Sequence, residues 1–515
     1  MAYSLLIKNG LIANGKGGEP FRGDIAISEG KIKDIGPDLG DSAEKIIEAA
    51  GLCVAPGFID ITNHSDAYGT LFFAPMQESM LMQGVTTIVV GNCGQSLAPL
   101  ITKSAISDLD RWTTGFSVPI DWTSVKDFYK TLEKIGMGLN VATLAGQETL
   151  KKDTENIAGA AMLLDSALEE GAWGLSSNFN FSAWTQALES ETLAFLKIVT
   201  KHNALCKVHM HDEGKDFLPS VATVLRLARL SGAHIVISHL KAVGRGAWKD
   251  FNGALKMIQN GEREGLKISF DFFPYMRTGS MLVSLLPAWA KNGTREETLK
   301  RVSDKYTREQ IIDSLNKMTL HADRIMIASA SQNKSVVGKT LKEISENAGI
   351  SPEELIVELL SINRLNVTVF GRTISQKNLL RASAFPGSIV SSDGAGYNLA
   401  FKNFGDLAHP RSFGAYPRFL GLVSKKAGVS LGDAVRKMTA LPAEKIGFSD
   451  RGLIEKGYAA DIVIFTSDFK DKGTYKNPYK YAEGIRYSIL GGRLAIEEGK
   501  INSSRNGKIL IKRKV

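Results

Sequence analysis

The chain has 515 residues, of which 43% are hydrophobic and 23% charged, and this composition excludes a largely disordered protein. Its 63 basic and 54 acidic residues leave a formal net charge of +9, a small excess for this length. The basic residues at the C-terminus are not interleaved with aromatic residues, so we expect a solvated tail and no nucleic-acid partner.

The cysteines and the N-terminal segment indicate where the protein works. Cys53, Cys93 and Cys206 are an odd and sparse set, which is not typical of a disulfide framework. The N-terminal residues do not match a signal peptide, and no run of eighteen or more apolar residues predicts a membrane span. We therefore expect a cytoplasmic protein without a membrane partner.

Both ends of the chain are predicted to be rich in β-strands. Apolar and polar residues alternate over 24–27 and 31–35, and 460–465 has the composition of a strand near the other end. Because the middle of the chain has a different pattern, we predict that residues 1–56 and 440–515 build one small β-sandwich domain.

Between these ends, predicted strands and helices alternate. The predicted strands cover residues 57–61, 86–90, 140–144, 174–176, 205–208, 234–238, 267–273 and 388–391. Eight β-then-α units predict an α/β fold of the (β/α)8 TIM-barrel type over residues 57–439. The long interval between the last two strands predicts an insertion of charged helical sequence, residues 279–349.

Polar residues follow several of the predicted barrel strands. Cys93 comes after the second strand, His209 ends the fifth and His239 follows the sixth. Reactive groups of TIM barrels lie at these C-terminal strand ends, so the three side chains should meet at one mouth. Three protein ligands with one open position are typical of catalytic zinc, and a thiolate with imidazoles suits zinc better than magnesium or calcium.

Each of these residues also has a purely structural interpretation. A single buried cysteine is more often a small hydrophobic residue, and a single strand-end histidine is more often a hydrogen-bonded core residue. The combination at strand ends favours the metal site. His64 is a weaker candidate ligand, because Thr62 stands where a paired ligand would be expected.

Ordered segments along nearly the whole chain carry a family resemblance. They include Gly91-Asn92-Cys93-Gly94, His209-Met210-His211-Asp212-Glu213, Ser238-His239-Leu240-Lys241, Ser392-Asp393-Gly394 and His409-Pro410-Arg411-Ser412. On these residues the chain resembles the N-acyl-D-amino-acid deacylase (D-aminoacylase) family of the amidohydrolase superfamily. The resemblance implies a zinc-dependent hydrolase that cleaves an amide C–N bond of a small-molecule substrate with a metal-activated water.

The resemblance also implies roles for individual residues. One tight zinc site would use Cys93, His209 and His239. A second, weaker site would use a His-x-His pair, the same cysteine and Asp393, and Asp393 would be the general base and acid. Lys241, Tyr275 and Arg411 would hold the substrate carboxylate.

The chain departs from the family pattern around the predicted site. Thr62 replaces the first histidine of the His-x-His pair and leaves only His64, so we expect one tight metal site and question the second. Gln147 and His211 stand where relatives have a histidine and an arginine. A shifted substrate, such as a cyclic or neutral amide of the lactam or imide type, is therefore an alternative, and a non-catalytic binding protein is a further one.

Two of the implied roles also have structural interpretations of their own. Asp393 precedes Gly394, and on composition alone it is a turn residue. Arg411 taken alone could equally be the partner of a structural ion pair. The combination of Arg411 with Lys241 and Tyr275 favours binding of a carboxylate.

Overall fold

The computed structural model describes residues 2–102, 105, 120–154, 156–179 and 185–513. In chain order the strands are β1 (Leu5–Ile12), β2 (Phe21–Ser28), β3 (Lys31–Gly36), β4 (Ile46–Glu48), β5 (Cys53–Pro56), β6 (Phe58–Asp60), β7 (Val85–Val90), β8 (Asn140–Thr143), β9 (Ala145–Gly146), β10 (Gly174–Asn178), β11 (Leu205–His209), β12 (His234–Ile237), β13 (Ile268–Phe272), β14 (Arg277–Met281), β15 (Ile325–Ala330), β16 (Val367–Arg372), β17 (Ser388–Val390), β18 (Ile462–Lys470), β19 (Glu483–Leu490), β20 (Arg493–Glu497) and β21 (Lys500–Ile501).

The α-helices lie mostly between these strands. They are α1 (Thr70–Phe73), α2 (Glu78–Leu81), α3 (Val125–Ile135), α4 (Gln147–Lys152), α5 (Ile157–Glu169), α6 (Gln186–Lys201), α7 (Phe217–Ser231), α8 (Phe251–Arg263), α9 (Ala288–Lys291), α10 (Arg295–Ser303), α11 (Lys305–Asn316), α12 (Leu341–Ala348), α13 (Pro352–Ile362), α14 (Gln376–Ala384), α15 (Arg411–Arg418), α16 (Ser424–Ala427), α17 (Leu431–Met438) and α18 (Ala440–Ile446). Short 3₁₀ segments are Trp248–Asp250, Leu282–Leu285, Ala322–Arg324, Lys334–Val336 and Leu399–Phe404, and one π-helical turn is Phe419–Val423.

The barrel consists of parallel strands at eight positions. One sheet has the order β6-β7-β8 and the other has the order β9-β10-β11-β12-β13-β17. Leu144 alone separates β8 from β9, so these two segments share one position. The first and last strands meet beyond their ends, where Asn63 bridges Gly394 in parallel and the amide of His64 donates to the Gly394 carbonyl at 2.7 Å. The predicted TIM-barrel class is confirmed.

Local sequence accounts for the form of these elements. All six residues of β7 are buried, as is typical of a parallel strand with helices on one side and the barrel interior on the other. Helix α13 begins after Ser351, whose hydroxyl accepts from the amide of Glu354, and Pro352 occupies the first turn. A reciprocal capping box of Thr340 and Glu343 begins α12.

Strands from both chain ends form one nine-stranded sheet. Its order is β21-β20-β19-β18-β5-β1-β2-β3, and β4 pairs with β1. The sheet doubles back, since Lys31 bridges Ala459, and it encloses a core of buried isoleucines that includes Ile7, Ile25 and Ile462. The two layers predicted as a sandwich are thus parts of one continuous sheet. The domain boundaries at residues 56 and 440 stay a prediction.

A separate unit lies between β13 and β17. Strands β14, β16 and β15 form an antiparallel sheet, and α9 to α13 pack on a core of their own that includes Leu282, Ile327 and Leu360. Strand β16 completes this sheet beyond residue 349, the predicted end of the insertion. Among the described residues, no helix combines the length and the apolar character needed to cross a membrane.

Tyr416 on α15 ties the first barrel strand to the last. Its buried hydroxyl donates to the Ile59 carbonyl at 3.2 Å and lies 3.5 Å from the Val390 carbonyl. We expect Tyr416→Phe to lower the free energy of unfolding by about 1–2 kcal/mol, because a buried carbonyl loses its hydrogen bond. Urea unfolding followed by circular dichroism measures this, with Tyr306→Phe, at a 75% exposed tyrosine, as the control. Equal stability of both variants would contradict the role of Tyr416 in closing the barrel.

Candidate metal centre

Three donor atoms converge at the C-terminal mouth of the barrel. Sγ of Cys93 lies 3.5 Å from Nε2 of His239, and that nitrogen lies 3.0 Å from Nδ1 of His209. One ligand atom from each residue falls within 4.8 Å of the other two, and no other such group of histidine, cysteine and acidic residues occurs in the described chain. The structure thus brings together the three residues that the sequence predicts as ligands, and their nitrogen and sulfur donors fit a zinc ion.

The imidazoles around Cys93 favour its thiolate. Burial by itself raises the pKa of the Cys93 thiol, but the charge of His239 and hydrogen bonds with His209, His239 and His64 outweigh burial. The pKa of the thiol is therefore held well below its ordinary value. A thiolate is the form of cysteine that binds metal ions. The other two cysteines differ, because burial raises the pKa of both Cys53 and Cys206 to about 12.

Glu213 supports His239 from behind. Nδ1 of His239 lies 3.3 Å from Oε1 of Glu213, and the Lys241 ammonium donates to the same carboxylate oxygen at 2.6 Å. Burial raises the pKa of Glu213, but Lys241 and the two histidines hold it below its usual range, so the carboxylate is ionised. Nδ1 also lies 2.9 Å from the Lys241 ammonium. When Nε2 of His239 binds a metal ion, Nδ1 carries the ring proton and can donate it in a hydrogen bond to Glu213, as is common for metal-bound histidine.

Asp393 lies beside the three donors and is held by two basic side chains. Its Oδ1 is 3.0 Å from Nε2 of His64, and its Oδ2 accepts from Nη1 of Arg411 at 2.5 Å. Burial raises the pKa of Asp393, but Arg411, His239 and His64 hold it well below its usual range. Burial lowers the pKa of His64, yet Asp393 and Cys93 raise it to about 10. His64 is thus a hydrogen-bond donor to the carboxylate.

Three of the site residues have a left-handed backbone. The φ angles are 55° at Cys93, 39° at His239 and 50° at Asp393. Such conformations cost free energy in residues other than glycine, so surrounding contacts must hold them. The amide of His239 donates to Asp271 at 2.8 Å, and the amide of Ser392, next to Asp393, donates to Asp60 at 2.9 Å. Buried carboxylates within the barrel therefore fix the strand ends that carry His239 and Asp393.

The three residues predicted to hold a carboxylate have different surroundings. Arg411 is buried beside Asp393, and its Nε has no hydrogen-bond partner in the part of the chain that the structure describes. The Lys241 ammonium is engaged by Glu213. The Tyr275 hydroxyl donates to the Pro410 carbonyl at 3.2 Å and lies 3.5 Å from Asp471. Arg411 is thus the one of the three with a free buried donor next to Asp393.

A cavity opens beside Asp393 and Arg411, and its wall is rich in aromatic side chains. Tyr68, Tyr397, Phe401 and Tyr479 line one part of it, and Phe370 from β16 lines another. Strands β14 and β16 of the inserted unit contribute to this wall. The cavity can therefore take an apolar group of a ligand whose polar end faces Arg411.

Gln147 and His211, two positions at which the chain departs from the family pattern, have hydrogen-bond contacts with neighbouring side chains. The Gln147 side chain accepts a hydrogen bond from the Ser177 hydroxyl and lies 3.4 Å from Glu191. Nε2 of His211 lies 3.1 Å from the hydroxyl of Ser220. Both side chains thus have contacts next to the site, and Thr62 is held inside the barrel by Lys207 and Asp271.

Comparisons with known proteins agree with this architecture. The model of the Amidohydrolase family matches residues 289–495. D-aminoacylase of Alcaligenes xylosoxydans xylosoxydans is 27% identical over 521 residues, which covers 99% of this chain and 97% of that protein. Along almost its whole length the chain is similar to a D-aminoacylase, and its C-terminal part matches the amidohydrolase family. It is therefore an enzyme of amide-bond hydrolysis, and the alternative of a non-catalytic barrel is not retained.

Two solved structures of this group share the fold over 99% of the chain. N-acyl-D-glutamate deacylase from Bordetella bronchiseptica, complexed with zinc and a phosphonate inhibitor that mimics the tetrahedral intermediate, has a TM-score of 0.82 at 25% identity. A D-aminoacylase with a binuclear metal centre, described by one-metal activation and second-metal attenuation, has a TM-score of 0.81 at 26% identity. In each comparison 100% of the other chain is covered.

Glu213 gives a first test of the metal centre in this amidohydrolase. We expect Glu213→Gln to weaken zinc binding by about 10- to 100-fold, because the amide no longer attracts the proton on Nδ1 of His239. Competition with a zinc chelator measures the affinity. Glu264→Gln changes a carboxylate that is 53% exposed and is the matched control. Unchanged affinity in Glu213→Gln would exclude the supporting role.

Proposed function

We propose that this amidohydrolase holds one zinc ion through Cys93, His209 and His239 and removes the acyl group from N-acyl-D-amino acids. The observation that carries the proposal is the convergence of these three donors beside the Asp393–Arg411 pair. The relatives support the substrate class, since they include a D-aminoacylase and an N-acyl-D-glutamate deacylase. A zinc ion, when bound, supplies a Lewis acid that polarises an acyl carbonyl and lowers the pKa of water.

Asp393 is the proposed general base and acid. It lies at the mouth of the barrel with both carboxylate oxygens hydrogen-bonded, one by His64 and one by Arg411. It would accept a proton from the attacking water and later give this proton to the leaving nitrogen. His64 would keep Oδ1 in place by donating to it. In this proposal His64 therefore orients Asp393.

Arg411 would connect substrate binding to the basicity of Asp393. Its free Nε–H can receive the substrate carboxylate while Nη1 remains near Asp393. A second anion would share the positive charge that lowers the pKa of Asp393, so this pKa would rise towards the value that suits proton transfer at neutral pH. Lys241 would add a further positive charge, and the contribution of Tyr275 stays a prediction.

A cyclic or neutral amide is the second candidate substrate. Its support is that the Lys241 ammonium is paired with Glu213 and that the Tyr275 hydroxyl is bound to the Pro410 carbonyl. Of the predicted carboxylate-binding residues, Arg411 alone then offers a free donor in the described site. A lactam or imide could occupy the aromatic cavity without a carboxylate.

Amine release from matched N-acyl-D- and N-acyl-L-amino acids tests the substrate class. We expect release from the D series alone, and we expect a chelator to abolish it and zinc to restore it, because the three donors hold the ion that polarises the carbonyl. Ring opening of cyclic amides is followed in parallel. A zinc-loaded enzyme that opens rings and leaves both acyl series intact would replace the proposed substrate with the second candidate.

The role of Asp393 is tested by Asp393→Asn. The amide can still accept a hydrogen bond, but it cannot accept the proton, so we expect turnover to fall by about 10²- to 10⁴-fold with zinc content unchanged. Asp468→Asn, at an aspartate that is 76% exposed, is the control and should keep full turnover. Turnover in Asp393→Asn equal to that of the control would assign the proton transfer to another group.

A further inference from the structure

A buried ionic cluster crosses the barrel beneath the three donors. The ammonium of Lys207, on β11, donates to the Ile61 carbonyl at 2.7 Å and to the Thr62 hydroxyl, and both acceptors follow β6. It also pairs with Oδ2 of Asp271, on β13, at 2.9 Å. Both charged side chains are 0% exposed. Lys207 thus spans the barrel from its fifth strand to its first.

The oxygen atoms of Asp271 and Thr62, which could bind a metal ion, already have hydrogen-bond partners within the protein. Oδ2 of Asp271 accepts from the Thr62 hydroxyl at 2.8 Å and pairs with Lys207. Oδ1 accepts from the Ser391 hydroxyl and from the amide of His239, each at 2.8 Å. The Thr62 hydroxyl donates a hydrogen bond to Asp271 and accepts one from Lys207. No atom of this cluster is left to bind a second cation.

Position 62 is where a second histidine would accompany His64. Threonine is shorter than histidine, and the long side chain of Lys207 reaches the threonine hydroxyl from the opposite side of the barrel. The ammonium therefore fills this place with a fixed positive charge. A divalent cation at this place would lie close to the ammonium in a low-dielectric interior, and the Asp271 carboxylate, already paired with that ammonium, could not also neutralise the cation.

We propose that Lys207, held by Asp271, replaces the second metal ion in this chain and restricts the centre to one metal. The inference rests on the proposed function, because it presupposes the zinc site at Cys93, His209 and His239. It makes Lys207 a positioning residue as well. By pairing with Asp271 at 2.9 Å, Lys207 holds in place the carboxylate that accepts from the amide of His239, whose backbone is left-handed.

Metal counting on the full-length enzyme tests this inference. The metal-free protein is titrated with zinc and with cobalt, and bound metal is measured after gel filtration. We expect one equivalent in the wild type. We also expect one in Thr62→His, because the added imidazole meets the Lys207 ammonium. The triple variant Thr62→His/Lys207→Met/Asp271→Asn, which removes both charges of the pair, should bind two.

A second readout and a control make each outcome decisive. Cobalt bound to a thiolate and imidazoles absorbs visible light, and this absorption should saturate at the first equivalent in the wild type. Lys197→Met, at an exposed lysine of α6, should behave as the wild type does. Two tight equivalents in the wild type or in Thr62→His would overturn the role of Lys207. A triple variant that keeps its first cobalt spectrum but takes no second metal would do the same.

The same titration separates this inference from the proposed function. No metal bound to the wild type at all would remove the zinc site itself. One equivalent of bound cobalt whose visible absorption is lost in Cys93→Ser would instead support the zinc site. The number of metal ions bound by the variants at Thr62 and Lys207 would then decide whether Lys207 restricts the centre to one metal.

Discussion

The carboxylate of Asp271 is the group on which the geometry of the metal centre depends most directly. It accepts hydrogen bonds from the Thr62 and Ser391 hydroxyls and from the His239 amide, and it pairs with Lys207. A buried ion pair of this kind gives little net stability, since desolvation of both charges offsets their attraction. The ion pair instead fixes positions, because the segments that carry Thr62, Ser391, His239 and Lys207 all bind the same carboxylate and are thereby held relative to one another.

Asp60 has a comparable role on the other side of the mouth. It accepts from the amide and hydroxyl of Ser392 and from the side chain of Asn63. These contacts hold the segment that carries Asp393 against the segment that carries His64. The free energy spent on the left-handed backbone at His239 and Asp393 is thus offset by one buried carboxylate for each, Asp271 and Asp60. Contacts inside the barrel therefore fix the backbone at these two positions of the site.

The sequence predicted the parts of this enzyme that follow from strand periodicity. Eight strand positions were predictable because parallel barrel strands are short apolar runs, and Cys93, His209 and His239 because reactive groups follow such runs. Lys207 was missed, although it lies two residues before His209 and so on the same face of its strand. Its partner Asp271 is on another strand, and no local pattern shows how far a lysine reaches across a barrel. The direction of the Tyr275 hydroxyl depends likewise on Pro410, which is distant in sequence.

The inserted unit also belongs to the active site, through His409. Burial holds the pKa of His409 well below its usual value, so its ring is neutral. Nε2 of this ring donates to the Arg277 carbonyl on β14 at 3.0 Å, and Nδ1 accepts from the amide of Arg411 at 3.1 Å. His409 therefore connects β14, the first strand of the inserted unit, to Arg411, which donates to Asp393. Since β14 and β16 also line the aromatic cavity, a ligand that displaces them would alter both the space for its apolar group and the position of the Arg411 guanidinium.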